Sequence, residues 1–299
     1  MPGGARASFM RDCADYRVVS GEIRCVLGEG PLWLPEREVL LWVDILEPAV
    51  YRNRLATGET HRWPIPENIG WVIPRKDRPG FIAGLRSGFA ELTLEPLEIK
   101  PLVPLAEHAV DARLRLNDGK ADARGRIFAG SMDMDGRNCG KLMRLDSDRS
   151  VHVVDDGYGI TNGPTFSPRG DTLYHADSRA RQVFRFDLGS DGSLSNRRLF
   201  VEFPSDWGVP DGMTTDAEGF IWIAHWGGSR VSRFNPTGEL DRAIHLPTSQ
   251  ITSCVFGGPN LDRLYVTSAA LDLAHEALAG SVFEVDPGCT GLPPNRFAG

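Results

Sequence analysis

Glu29, Asn117, Asn162 and Asp211 stand in the strings Gly28-Glu29-Gly30-Pro31, Asn117-Asp118-Gly119, Asn162-Gly163-Pro164 and Pro210-Asp211-Gly212. Carboxylates and amides are hard oxygen donors, the set a divalent cation takes while keeping positions open for water or a reactant. Such an ion polarises carbonyls and acidifies water, which is hydrolytic chemistry. Taken singly, each residue reads as a turn former, because Asn and Asp beside Gly or Pro favour turns. Their spacing argues otherwise. Each precedes, by a similar interval, one copy of a recurring strand, and Trp71 and Cys254 hold the corresponding places in two further copies. In a closed repeat, corresponding positions face one another across the axis. Burying Glu29 and Asp211 together there calls for a counter-charge, and no Lys or Arg stands at the same register, so a metal would supply it.

The elements that would position these residues repeat six times: Leu40 to Asp44, Phe81 to Leu85, Ile127 to Ser131, Leu173 to Asp177, Ile221 to His225 and Leu264 to Ser268. Turn residues such as Pro79-Gly80, Arg124-Gly125 and Arg169-Gly170 lead into them. A second alternating run follows each copy, from Val50 to Arg54 through to Val282 to Asp286. A repeat of about 40 to 50 residues built of short strands matches a four-stranded propeller blade. The expected fold is all-β, a six-bladed β-propeller of four-stranded blades with a central metal site, filling residues 16–299 after a flexible tail over 1–15. A β-sandwich or paired barrels would not repeat one unit at near-constant spacing. The segment from Tyr16 to Cys25 alternates apolar and polar residues and is placed to complete the last blade, hiding an edge.

The chain has 299 residues, 41% hydrophobic and 24% charged, with a net charge of −7. That balance repels nucleic acid and anionic membranes. Charged residues interrupt every apolar run before it reaches the roughly 20 residues of a membrane span. The stretch from Met1 to Tyr16 has no apolar block that could form a secretory signal core. The five cysteines, Cys13, Cys25, Cys139, Cys254 and Cys289, are scattered and read as reduced packing residues, which gives a cytoplasmic expectation.

The blocks Leu27-Gly28-Glu29-Gly30-Pro31, Arg115-Leu116-Asn117-Asp118-Gly119-Lys120, Thr161-Asn162-Gly163-Pro164, Pro210-Asp211-Gly212 and Phe256-Gly257-Gly258-Pro259, in this order, resemble the senescence marker protein 30, gluconolactonase and luciferin-regenerating enzyme family. The resemblance covers nearly the whole chain. It implies hydrolysis of a sugar lactone, with Glu29, Asn162 and Asp211 as protein ligands of one divalent metal ion and Asp211 also as general base. It further implies that Arg115 and Asn117 bind substrate oxygens and that Asp135 contacts the sugar. Some relatives carry Glu at that last position, and Thr where this chain has Ser131. The oxygen donors favour Ca, Mg or Mn, although Zn or Fe(II) can occupy such sites.

Rival chemistries have less support. No Gly-x-Ser-x-Gly turn occurs, and neither His175 nor His225, both on expected strands, has a nameable nucleophile beside it. P-loop, dinucleotide and paired-histidine zinc motifs are missing. Two readings stay open beside the lactonase: a metal-dependent aryl-esterase or organophosphate hydrolase, and a propeller that only binds a ligand. Arg115, Asn117 and Asp135 suit a hydroxyl-rich small molecule better than an apolar ester. Trp71, Tyr158, Trp207 and Trp226 could rim a pocket, but core packing is the simpler account of such aromatics.

Overall fold

The computed structural model describes residues 13–299, and most of the tail expected over 1–15 lies outside the described residues. The strands form six four-stranded antiparallel sheets. Blade 1 is Gly28–Leu34, Val39–Asp44, Ala49–Arg54 and Glu59–Pro64; blade 2 is Ile69–Pro74, Phe81–Leu85, Gly88–Leu94 and Leu97–Pro104. Blade 3 is Leu114–Ala121, Ile127–Asp133, Gly140–Leu145 and Val151–Tyr158; blade 4 is Thr161–Phe166, Thr172–Asp177, Gln182–Leu188 and Leu194–Glu202. Blade 5 is Val209–Thr215, Ile221–Trp226, Arg230–Phe234 and Leu240–His245, and blade 6 is Ile251–Gly257, Arg263–Ser268 and Phe283–Val285, completed by Tyr16–Val18. The first-written strand of each blade packs against those of both neighbouring blades, so the ring closes as a six-bladed β-propeller.

Sequence and position agree strand by strand. The two inner strands of a blade are covered on both faces and read as continuous apolar runs, as in Val39–Asp44, where every residue is buried. Outer strands such as Leu194–Glu202 are largely exposed and polar. The core divides into six clusters, one in each seam between neighbouring blades. The last seam is closed as the sequence suggests: Tyr16 pairs with Val285 and Val18 with Phe283. The closing strand is shorter than the alternating stretch, ending at Val18.

One irregularity decides the site. In all six innermost strands the register with the second strand slips at the same level, between Glu29 and Leu32, Ile69 and Trp71, Leu116 and Gly119, Asn162 and Thr165, Pro210 and Met213, and Ile251 and Ser253. Such a bulge re-aims the side chains around it. The blades crowd at this level: a Cβ on Gly70 would lie 2.0 Å from the Asn117 carbonyl oxygen, so the position tolerates only glycine.

The slip corrects two positions read from the sequence. Counted from the last paired residue above the bulge, Asn117 and Asp211 stand one position past Leu116 and Pro210, so their counterparts are Gly70 and Thr252, one position past Ile69 and Ile251, and not Trp71 and Cys254. Glu29 and Asn162 are themselves the last paired residues of their strands. Trp71 turns into the seam between blades 2 and 3, its ring 6.0 Å from that of Phe89. Cys254 lies in the seam between blades 5 and 6 with Sγ toward the Trp222 carbonyl. Tyr158 is likewise fully buried core, as expected of it.

Candidate metal centre in the channel

Buried aspartates hold the loops that deliver the site strands. The Asp44 carboxylate accepts from the backbone N–H groups of Val26 and Leu27, which lead into the strand of Glu29. Asp177 does the same for Gly159 and Ile160, ahead of the strand of Asn162. These bonds replace water for backbone donors that would otherwise be buried unsatisfied.

The bulges then bring Glu29, Arg115, Asn117, Asn162 and Asp211 together, each at least nine-tenths buried. The Glu29 and Asp211 carboxylates lie within hydrogen-bonding reach of each other. Asn117 Nδ2 donates to Asn162 Oδ1 at 2.8 Å and to the Thr161 carbonyl at 2.5 Å. Asn162 Nδ2 donates to Ser178 Oγ at 2.9 Å, and Ser178 Oγ donates to the Pro210 carbonyl at 2.6 Å, so blades 3, 4 and 5 are linked around the site. Thr252 Oγ1 donates to the Gly28 carbonyl at 2.5 Å, tying blade 6 to the strand of Glu29.

The electrostatics are those of a site short of positive charge. Burial first, and Asp118 second, push Glu29 up to about 8. Burial and the Glu29 charge hold Asp211 well above the usual carboxylate range. A basic group does stand close, contrary to the reading by register: Arg115, whose Nη1 donates to Asn117 Oδ1 and the Leu116 carbonyl. Burial brings Arg115 down to about 10 against the opposing pull of Glu29 and Asp211. Its Nε has no partner among the described residues. Two proton-retaining carboxylates beside an amide oxygen fit a hard divalent cation, which would replace the shared proton. Among the described residues no three His, Cys, Asp or Glu side chains are placed to share an ion. The third donor here would instead be the amide of Asn162.

Asp135 is not part of this cluster. It follows the second strand of blade 3, is 63% exposed and pairs with Arg113 at 3.5 Å. Its loop is held from beneath by Asp133, which accepts from the Asp135 N–H. His175 and His225 are buried, each with Nδ1 on a backbone carbonyl, and burial depresses them to about 4 and about 3. They are packed neutral residues, as expected. Sequence reading missed Ser178 and Thr252, for which no local signal exists, and passed over Asp118 and Lys120, although both lie in a quoted block.

The model of the SMP-30/Gluconolactonase/LRE-like region matches residues 27–270. The chain belongs to this family. It is 36% identical to Pentonolactonase XacC of Haloferax volcanii over 283 residues, covering 91% of this chain and 94% of that one. It is 35% identical to the 6-deoxy-6-sulfogluconolactonase of Pseudomonas putida, covering 92% and 96% respectively. The solved structure of regucalcin from Agrobacterium tumefaciens, described as a calcium-binding protein, superposes with a TM-score of 0.88 at 26% identity, covering 95% of this chain and 97% of that one.

Proposed function

We propose that this family member hydrolyses a sugar lactone to the aldonic acid at the channel centre, with one divalent ion held by Glu29, Asn162 and Asp211. The observation that carries the reading is the buried meeting of Glu29 and Asp211 beside the oriented amide of Asn162. Relatives named pentonolactonase and 6-deoxy-6-sulfogluconolactonase support a sugar lactone as substrate, and a relative described as calcium-binding supports the ion. When bound, the ion would supply Lewis acidity toward the lactone carbonyl and acidify water. Asp211 takes the proton of the attacking water, its partner Glu29 keeping it in place. Arg115 Nε, buried and without a partner among the described residues, is free to donate to a substrate oxygen. Asn117 stands between Arg115 and Asn162 and couples substrate contact to the ligand amide. Asp135, at the mouth, orients a sugar hydroxyl when it leaves Arg113. The five free cysteines support a reducing compartment such as the cytoplasm.

The test is acid release from a panel of aldonolactones at near-neutral pH, before and after chelation and with single metals added back. Metal-restored acceleration of at least one lactone is expected. A spontaneous rate with every lactone and metal would overturn the reading.

A further inference from the structure

The channel holds a second set of charges that lactone hydrolysis does not use. Past the bulges, farther along the innermost strands, lies a cavity of about 280 Å³ whose walls include Asp118, Lys120, Thr165, Thr214 and Ser253. The chain's last segment lies against its far end: Leu292 to Asn295 line it, and Phe297 and Ala298 are bonded to the backbones of Pro74 and Gly125.

Asp118 is 93% buried and accepts from the N–H groups of Gly119 and Gly163, the latter next to Asn162. Lys120 starts in blade 3 and reaches blade 5, where Nζ donates to the Met213 carbonyl at 2.6 Å, two residues past Asp211. Lys120 retains accessible surface because it faces the cavity. Asp118 is the main charge favouring its ammonium form, as Lys120 is the main charge favouring the Asp118 carboxylate.

Lys120 Nζ meets a carbonyl and the charge of Asp118, and the hydroxyls of Thr165, Thr214 and Ser253 belong to residues of the same cavity wall, so the lining offers the oxygen donors a hard cation takes, with room for water. The charge balance says what the ammonium does there. With the carboxylates ionised, as a bound ion requires, Glu29, Asp118 and Asp211 set three negative charges against the two positive ones of Arg115 and Lys120, one negative charge in excess before any ion is counted. One divalent ion reverses it to one positive, whereas a second beside Lys120 would leave three positive charges in a poorly screened space. We infer that Lys120 is the fixed counter-cation of the lower channel, standing where a second divalent ion would bind and limiting the channel to one. The inference rests on the metal centre proposed above.

Equilibrium dialysis of the full, chelator-stripped chain against millimolar calcium, with bound metal counted by emission spectroscopy, tests it. The wild type is expected to hold one equivalent, Lys120→Ser two, and Lys120→Arg one. Asp118→Asn combined with Lys120→Ser should return the count to one. Lys120→Ala replaces the serine variant should the latter fail to show a cooperative melt. One equivalent in the neutral Lys120 variant, or two in Lys120→Arg, overturns the inference alone. A wild-type chain that binds none removes the metal centre itself.

Discussion

The Asn162 amide is fixed at both ends: Oδ1 accepts from Asn117 Nδ2 at 2.8 Å and Nδ2 donates to Ser178 Oγ at 2.9 Å. Its oxygen is therefore assigned to one side, with a second lone pair left for an ion. Ser178→Ala removes the partner that sets this orientation. Outer partners of metal ligands typically contribute about 10-fold or more in affinity, and a loss of that size is expected by calorimetric titration of the stripped protein with calcium. Unchanged affinity would contradict the assigned orientation.

Stability should depend on pH and metal together. In the metal-free chain Glu29 titrates near 8, up from the ordinary 4.5, so between those values the folded state holds a proton that the unfolded chain has released. The folded state binds more protons there, and stability falls as pH rises through the window. An ion that displaces the proton stabilises more at the upper end. The gap in Tm between calcium-loaded and stripped protein is expected to be larger at pH 8 than at pH 6, and an equal gap would count against the shared proton.

Asp177→Ala should destabilise the chain without touching the site chemistry directly. Its carboxylate accepts from the N–H groups of Gly159, Ile160, Arg179 and Ala180. Leaving these buried and partly buried donors unsatisfied costs about 2–4 kcal/mol, measurable as a lower urea midpoint. A midpoint equal to the wild type would show that water replaces the carboxylate.

The six-fold strand repeat and the closing strand were legible because buried inner strands need apolar runs and turns need Gly, Pro or Asp. Glu29, Arg115, Asn117, Asn162 and Asp211 were legible through register and resemblance, and the fold brings them together. The bulge was not, since a slip of one residue leaves no mark in composition. Trp71 and Cys254 were misplaced against Asn117 and Asp211 for that reason, and Gly70, which no donor argument selects, holds the position in blade 2 that corresponds to those two. Ser178 was hidden for another reason: its role comes from a bond to a different strand.

Asp135→Ala should change substrate use more than metal binding. Asp135 is exposed and its partner is Arg113, so its loss leaves the buried donors intact. A rise in KM with calcium affinity unchanged is expected across the lactone panel. KM values equal to those of the wild type for every lactone would remove Asp135 from the substrate contacts.

The most direct test of the central claim is the kcat/KM of Asp211→Ala on the best lactone, measured with saturating metal and with Tm recorded alongside. Removing a group that both holds the ion and takes the proton should lower the rate by at least about 100-fold, while the protein still melts cooperatively because Asp211 faces the channel and not a seam between blades. Wild-type kcat/KM in the folded variant would contradict the assignment of the chemistry to this centre.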